Sequence, residues 1–253
     1  MRLLARKIWK LFYGVAILFL MNSMNATAVD LKAYTEEWPP YNFLNGKDVT
    51  GISTDILRTA CINANLHCEF QLVPWTRAYK TVQETKNTLI YTIARIPARE
   101  GQFVWIGPIL PRTTWVYVRA ELANEIHTLK DLDKFKVGAI RAEASLTELL
   151  EAGVSKSAIR IFNSNSDEMR MLKSGQIDAV VNTEIGMAMN QQQYDIPAGK
   201  LIKLIKLYDG GSLYFGMNLG SDPTLIEKLQ SSVDKLRREG KMNAIVQRYT
   251  KPH

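Results

Sequence analysis

Two arginines four residues apart, Arg95 and Arg99, are the residues of this sequence best placed to do chemistry. They sit in Ala94-Arg95-Ile96-Pro97-Ala98-Arg99-Glu100-Gly101-Gln102-Phe103-Val104-Trp105-Ile106-Gly107-Pro108, after an apolar run, Leu89 to Ala94, that reads as a buried strand. In open α/β sheets ligands bind beyond the carboxyl ends of the strands. A guanidinium there takes a carboxylate or phosphate through two parallel hydrogen bonds. A surface loop with two solvated arginines is the other reading of the same stretch. Pro74-Trp75-Thr76-Arg77-Ala78-Tyr79 supplies a third arginine; Arg77 reads equally as a helix-surface residue, and Trp75 as core. Other chemistry finds little support. His67, His127 and His253 are the three histidines and form no HxxH-type pair, and His127 precedes a helix start at Thr128-Leu-Lys-Asp-Leu132. No G-x-S-x-G elbow or phosphate loop occurs. The expectation is a binding site with no catalytic residue, no cofactor and no metal.

The N-terminus sets the compartment. Arg2, Arg6, Lys7 and Lys10 precede an apolar core, Leu11 to Leu20, too short for a comfortable membrane span. Ala26-Thr27-Ala28 is an A-x-A cleavage site, so a secretory signal over 1–28 is expected, with Val29 as the first mature residue. No Cys stands at that site to carry a lipid anchor. The signal holds four of the 32 Lys+Arg and none of the 25 Asp+Glu, leaving 28 against 25, or +3, on the mature 225 residues. That is ordinary solubility and argues against a nucleic-acid partner. The only cysteines, Cys61 and Cys68, read as a disulfide in an oxidising compartment. A metal pair with His67 is the alternative, but it lacks two further ligands nearby.

The elements that must position the arginines alternate. Leu31 to Tyr34 reads as a strand, followed by turn-rich Trp38-Pro39-Pro40-Tyr41 and Asn45-Gly46-Lys47-Asp48. A helix from Asp55 to Ala64, a strand from Leu66 to Val73, a helix from Trp75 to Thr85 and strands Leu89 to Ala94 and Trp115 to Arg119 complete a βαβαβ block. A second such block begins near Glu121. It has strands Phe135 to Ile140, Ala158 to Phe162 and Ala179 to Asn182, with helices from about Ser145 to Ala152, Met169 to Ser174 and Glu184 to Gln193. Asp222-Pro223 opens a helix with the apolar stripe Leu225, Leu229, Val233 and Leu236, ended by Gly240, and Lys241 to Tyr249 is a last short helix. Two tightly joined α/β lobes with a cleft between them follow, and clefts at domain interfaces are favoured ligand sites.

These residues resemble the periplasmic solute-binding proteins of the amino-acid type, family 3 of the bacterial extracellular binding proteins. Trp38-Pro39-Pro40-Tyr41 looks like the family's aromatic-x-Pro-aromatic segment, and Gly51-Ile-Ser-Thr-Asp55-Ile like its helix start. Cys61 and Cys68 match the disulfide spacing of the basic-amino-acid binders. Ile96-Pro97-Ala98-Arg99-Glu100 looks like the Thr-x-x-Arg segment, with Gly107-Pro108 after it. Gly175-Gln-Ile-Asp178-Ala179-Val180 and the Leu229 to Tyr249 helix pair complete the series. The resemblance implies an α/β, two-lobed, periplasmic-binding-protein-like (type II) fold with two hinge strands near Tyr117 and Tyr214. Lobe 1 would be 29–115 plus 214–253, and lobe 2 would be 116–213. Closure of the lobes would trap the ligand. It implies a carboxylate grip by Arg99, with Arg95 and Arg77 adding positive charge, and stacking on Trp38 with Tyr41 beside it.

Two departures stand out. The acid that pairs with an amino acid's ammonium is replaced by Thr183, followed by Glu184. The family's Gly-Thr-Thr aligns with Ala142-Glu143-Ala144, followed by Ser145. Glu184 and Glu143 are the two candidates to stand in for the missing acid. The implied function is capture of a small carboxylate-bearing solute, an amino acid or related organic acid, by a monomer that delivers it to an inner-membrane transporter permease or a sensor. A cyclohexadienyl-dehydratase-like enzyme on the same scaffold is the alternative, with Glu143 or Glu184 as general acid if burial raises its pKa.

Overall fold

The computed structural model describes residues 29–250. The export-signal reading rests on 1–28, which lie outside the described residues. Among those described, no helix is long and apolar enough to cross a membrane.

The chain opens with β1 (Leu31–Thr35), the hairpin strands β2 (Phe43–Asn45) and β3 (Asp48–Thr50), α1 (Ile52–Asn63), β4 (Cys68–Leu72), α2 (Trp75–Glu84), β5 (Thr88–Ala94) and β6 (Val104–Arg119). It continues with β7 (Val137–Ile140), α3 (Ala144–Glu151), β8 (Ile159–Phe162), α4 (Asn165–Lys173), β9 (Ala179–Asn182), α5 (Glu184–Gln193), β10 (Leu201–Met217), α6 (Pro223–Arg238) and α7 (Lys241–Thr250). The main sheet runs β4-β1-β5-β10-β6-β9-β7-β8. β1 pairs in parallel with β4 and β5, and β7 in parallel with β8 and β9. Between these sets the long strands β6 and β10 lie antiparallel, Leu201 opposite Arg119 at one end and Met217 opposite Val104 at the other.

The core divides where those strands pass. One set of buried side chains draws on β1, α1, β5 and α6 and reaches Leu110 of β6 and Leu213 of β10. A second begins at Val116 and takes in Leu132, Leu149 and Ala179, with Ile205 and Leu207 of β10 against it. A third joins Tyr117, Met169 and Val180. In Leu201-Ile202-Lys203-Leu204-Ile205-Lys206-Leu207 of β10 the exposed lysines recur every third residue, and register shifts just after Lys203 and Lys206 accompany that spacing.

Local chemistry fixes the ends of the elements. Ser164 accepts a hydrogen bond from the Asp167 amide at the start of α4, and Asp222 one from the Thr224 amide ahead of Pro223. Leu225, Leu229, Val233 and Leu236 are all buried, as the apolar stripe requires. Cys61 and Cys68 form a disulfide that ties the end of α1 to β4. Two differences from the sequence reading are instructive. β6 begins at Val104, not Trp115: a register shift between Ile106 and Leu110 accommodates Pro108, and Pro111 pairs in register with Ser212. α1 begins at Ile52, where Gly51, at φ +119°, lies so close to the Tyr41 carbonyl that a Cβ could not fit.

Candidate functional site

Several strands of the main sheet deliver residues to one cavity at or beyond their carboxyl ends, where parallel strands leave room for ligands. Glu36 follows β1, and Thr92 and Ala94 close β5. Ile140 ends β7, Asn165 opens α4 after β8, and Asn182 ends β9. Trp38, Trp75 and Arg99 line the cavity from the side of the first core, and Glu143, Ser145 and Glu168 from the other.

Arg99 sits on a single 3-10 turn, Pro97–Arg99, just past β5, and only 5% of it is exposed. Its Nη1 donates to the Ala94 carbonyl and its Nη2 to the Ala142 carbonyl, each at 2.9 Å. Its guanidinium carbon lies 5.7 Å from the ring centres of both Trp75 and Tyr79. No carboxylate forms an ion pair with it among the described residues. Burial draws its pKa down from the ordinary arginine value, and Arg112 adds to this. Arg112, the other cavity arginine, is committed: its Nη1 and Nη2 donate to the two oxygens of Glu148 at 2.6 and 2.9 Å.

Hydrogen bonds join the two walls. The Ala142 carbonyl also accepts from Trp75 Nε1 at 3.0 Å. Ala142 has φ +63°, a left-handed conformation that an alanine adopts at a cost of about 1 kcal/mol. Trp38 Nε1 donates to Asn182 Oδ1 at 3.2 Å, and the Tyr41 hydroxyl to Thr183 Oγ1 at 2.9 Å. Trp38 packs on Tyr41 with ring centres 4.4 Å apart.

Three carboxyl groups face the same space. Glu36 and Glu143 lie within hydrogen-bonding reach of each other, and burial followed by the neighbouring Glu143 charge pushes Glu36 well above the usual carboxylate range. Burial likewise raises Glu143, against the pull of the Glu36 hydrogen bond, Arg99 and Arg112. Glu168 is raised by burial and then by Glu143. Gly138 of β7 makes room for it, since a Cβ there would come 2.9 Å from a Glu168 oxygen. Thr114 Oγ1 of β6, buried and without a hydrogen-bond partner, completes this side of the cavity.

A family model for bacterial extracellular solute-binding proteins, family 3, matches residues 31–252. The chain belongs to that family. No curated protein sequence matches this solute-binding protein. Among solved structures, an ancestral arginine-binding protein bound to glutamine superposes with a TM-score of 0.76 at 20% identity, over 88% of this chain and 99% of that one. A histidine kinase sensor domain with similarity to periplasmic binding proteins gives 0.78 at 18% identity, over 87% and 95%. An ancestral amino-acid-binding protein, a precursor of cyclohexadienyl dehydratase, gives 0.74 at 19%, also over 87% and 95%. The fold of this solute-binding protein is the two-lobed type II α/β fold, with β6 and β10 as its two connecting strands.

The structure brings Arg99, Trp38 and Ser145 to the cavity of the solute-binding protein. Tyr41 and Thr183 lie buried behind it, bonded to each other, and Thr183 also caps α5 by accepting from the Gly186 amide. The remaining three expected site residues lie elsewhere. Arg95 is exposed and spends its guanidinium on Glu100 at 2.7 Å. It stands one residue past the end of β5, where the chain leaves the sheet. Arg77 is on the exposed side of α2. Glu184 is exposed and pairs with Lys203 at 2.6 Å. Of the two candidate stand-ins for the missing acid, only Glu143 faces the cavity. Sequence reasoning missed Glu36, Thr114, Asn165, Glu168 and Asn182. Glu36 and Asn182 carried a usable signal, since each stands at the carboxyl end of a recognisable strand.

Proposed function

We propose that this protein binds a small carboxylate-bearing solute, an amino acid or related organic acid, in the cavity around Arg99 and closes on it by hinge motion. The observation that carries this reading is a buried guanidinium with no carboxylate partner among the described residues. A buried charge is costly until paired, and a ligand carboxylate is the matching partner. Trp38 stacks on the ligand, and Ser145 and the first amides of α3 add donors. The hinge is the stretch of β6 and β10 between the two cores, close to Arg112 and Gly211, which lie opposite each other. On this reading the lobe boundaries lie a few residues from those expected in sequence (lobe 1 as 29–115 plus 214–253, lobe 2 as 116–213, hinges near Tyr117 and Tyr214), since Leu213 packs with the first core. The amino-acid ligand class is supported by the similarity to an arginine-binding protein bound to glutamine. Export to the periplasm by a cleaved signal, a monomeric state and delivery to a membrane transporter or a sensor complete the reading; the likeness to a sensor domain keeps both destinations in it.

A dehydratase-like activity is the second reading, favoured by the raised Glu143 carboxyl in the cavity. A thermal-shift screen of the purified protein against amino acids, dicarboxylates and aromatic acids tests both. A ligand at 100 times its dissociation constant stabilises by about 2.7 kcal/mol. Arg99→Ala should abolish the shift; an unchanged shift overturns the carboxylate grip. Consumption of prephenate overturns the binding-only reading.

A further inference from the structure

We propose that Thr183, with Asn182 beside it, is a latch that holds the Trp38–Tyr41 pair across the cleft on the protein's own hydrogen bonds, so that it sets how long a solute is kept and not which solute is chosen. This rests on the binding reading above and adds the residues that govern its closing step. Trp38 and Tyr41 stand in the turn after β1, which is closed by the bridge between Trp38 and Asn42. Both rings pack with the first core. Asn182 ends β9, and Thr183 caps α5, whose Met187 belongs to the third core. The bonds from Tyr41 Oη to Thr183 Oγ1, 2.9 Å, and from Trp38 Nε1 to Asn182 Oδ1, 3.2 Å, therefore tie elements of two different cores.

Counting donors and acceptors commits both oxygens to the protein. Thr183 Oγ1 accepts from Tyr41 and, at 3.1 Å, from the Gly186 amide, which fills its two lone pairs. Asn182 Oδ1 accepts from Trp38 and, at 2.8 Å, from the Thr183 amide, which fills its two as well. Trp38 Nε1 and the Thr183 amide can only donate, so chemistry fixes which atom of the Asn182 amide faces them. Tyr41 and Thr183 are both buried, so their bond is shielded from competing water. The walls also meet without a gap. A Cβ on Gly186, in the first turn of α5, would come 3.2 Å from Trp38 Nε1 and 2.9 Å from Thr183 Oγ1. Every one of these contacts is made between protein groups, so the latch acts before a solute arrives as well as after it has bound.

Small-angle scattering without solute tests the latch directly. Tyr41→Phe removes one hydroxyl and leaves the α5 cap in place, Thr183→Val removes the cap as well, and Thr183→Ser keeps both contacts. The radius of gyration should rise in Tyr41→Phe and Thr183→Val and return to the wild-type value in Thr183→Ser. One radius for all four proteins overturns the latch. Stopped-flow dissociation with glutamine, arginine and malate as probes tests the second half of the proposal. Each probe that binds should leave Tyr41→Phe about fivefold faster, the net worth of one hydrogen bond, and by the same factor whichever probe is used. Factors that differ more than about threefold between probes make Tyr41 and Thr183 selectivity residues and overturn the latch. If none of the probes binds, the carboxylate-binding reading fails, and the scattering result alone decides the latch.

Discussion

Replacing Glu148 by alanine would strand a buried charge. Arg112 and Glu148 are each only 5% exposed, and their two parallel hydrogen bonds, at 2.6 and 2.9 Å, satisfy both groups. Without Glu148 the guanidinium keeps none of its hydrogen bonds among the described residues, only the Tyr208 ring, 5.4 Å from its central carbon, and the field of the Glu143 carboxyl. Breaking a buried pair from one side costs about 3–5 kcal/mol, whereas replacing both partners with apolar groups is often neutral or stabilising. In a chain of this size each kcal/mol moves the melting temperature by about 2–4 °C. Glu148→Ala should therefore melt roughly 6–20 °C lower, and the double variant Arg112→Leu/Glu148→Leu should recover most of that loss. Circular-dichroism melts with matched urea titrations measure both. A single-variant loss below about 1 kcal/mol, or a double variant no better than the single, would show that water reaches Arg112 and that the pair is not buried in solution.

Acidity should act in an unusual direction. Glu36, Glu143 and Glu168 are raised in the folded protein, mainly by burial, with Arg99, the Arg112–Glu148 pair and one another as their charged neighbours. Raised carboxyls contribute stability that is complete below their unfolded pKa of about 4.3 and is lost as pH rises through the folded values. The ligand-free melting temperature should thus rise between pH 7.5 and 5.5, and the triple Glu→Gln variant should lose that rise; a rise that survives in the variant refutes the assignment. Gly186→Ala would place a Cβ 2.9 Å from Thr183 Oγ1, 3.2 Å from Trp38 Nε1 and closer still to Asn182 Oδ1. Overpacking there should cost about 1–3 kcal/mol in urea unfolding and weaken solute binding as well; an unchanged midpoint would show the neighbours yielding freely. The Cys61–Cys68 disulfide closes a span of seven residues, for which chain entropy gives a stabilisation of about 2.5 kcal/mol. The double serine variant should lose that much, and a smaller loss would show that contacts such as the Leu66 amide to the Cys61 carbonyl, 2.9 Å, already close the loop.

Period and punctuation made the short parallel strands and their helices legible. Asp222-Pro223, Gly240 and the Leu225 to Leu236 stripe mark their helix as clearly in sequence as in structure. The long strands were harder, for different reasons. β6 was read only from Trp115, because the register shift that absorbs Pro108 leaves no trace in local sequence. β10 carries a period of three from Leu201 to Leu207, which is neither a clean strand nor a clean helix signal, and Gly210 and Gly211 interrupt it before Leu213. At the site, Arg99 was readable because it follows a wholly buried strand. Glu168 was not, because a glutamate in the first turn of a helix is a normal helix-start residue and nothing local reveals that its face is covered. Arg95 misled for a geometric reason: it stands just past a strand buried on both faces, at the point where the chain has left the sheet for solvent.

Trp38 and Trp75 give the protein an optical property. Each indole N–H donates across the cleft, to Asn182 and to the Ala142 carbonyl, and the Arg99 cation lies over one of the two rings. Separating the walls would break both hydrogen bonds and wet both indoles together. If the proposed capture closes these walls on a solute, it should register in the intrinsic fluorescence of the unlabelled chain, and stopped-flow emission would time that step directly, even for solutes that absorb no light of their own.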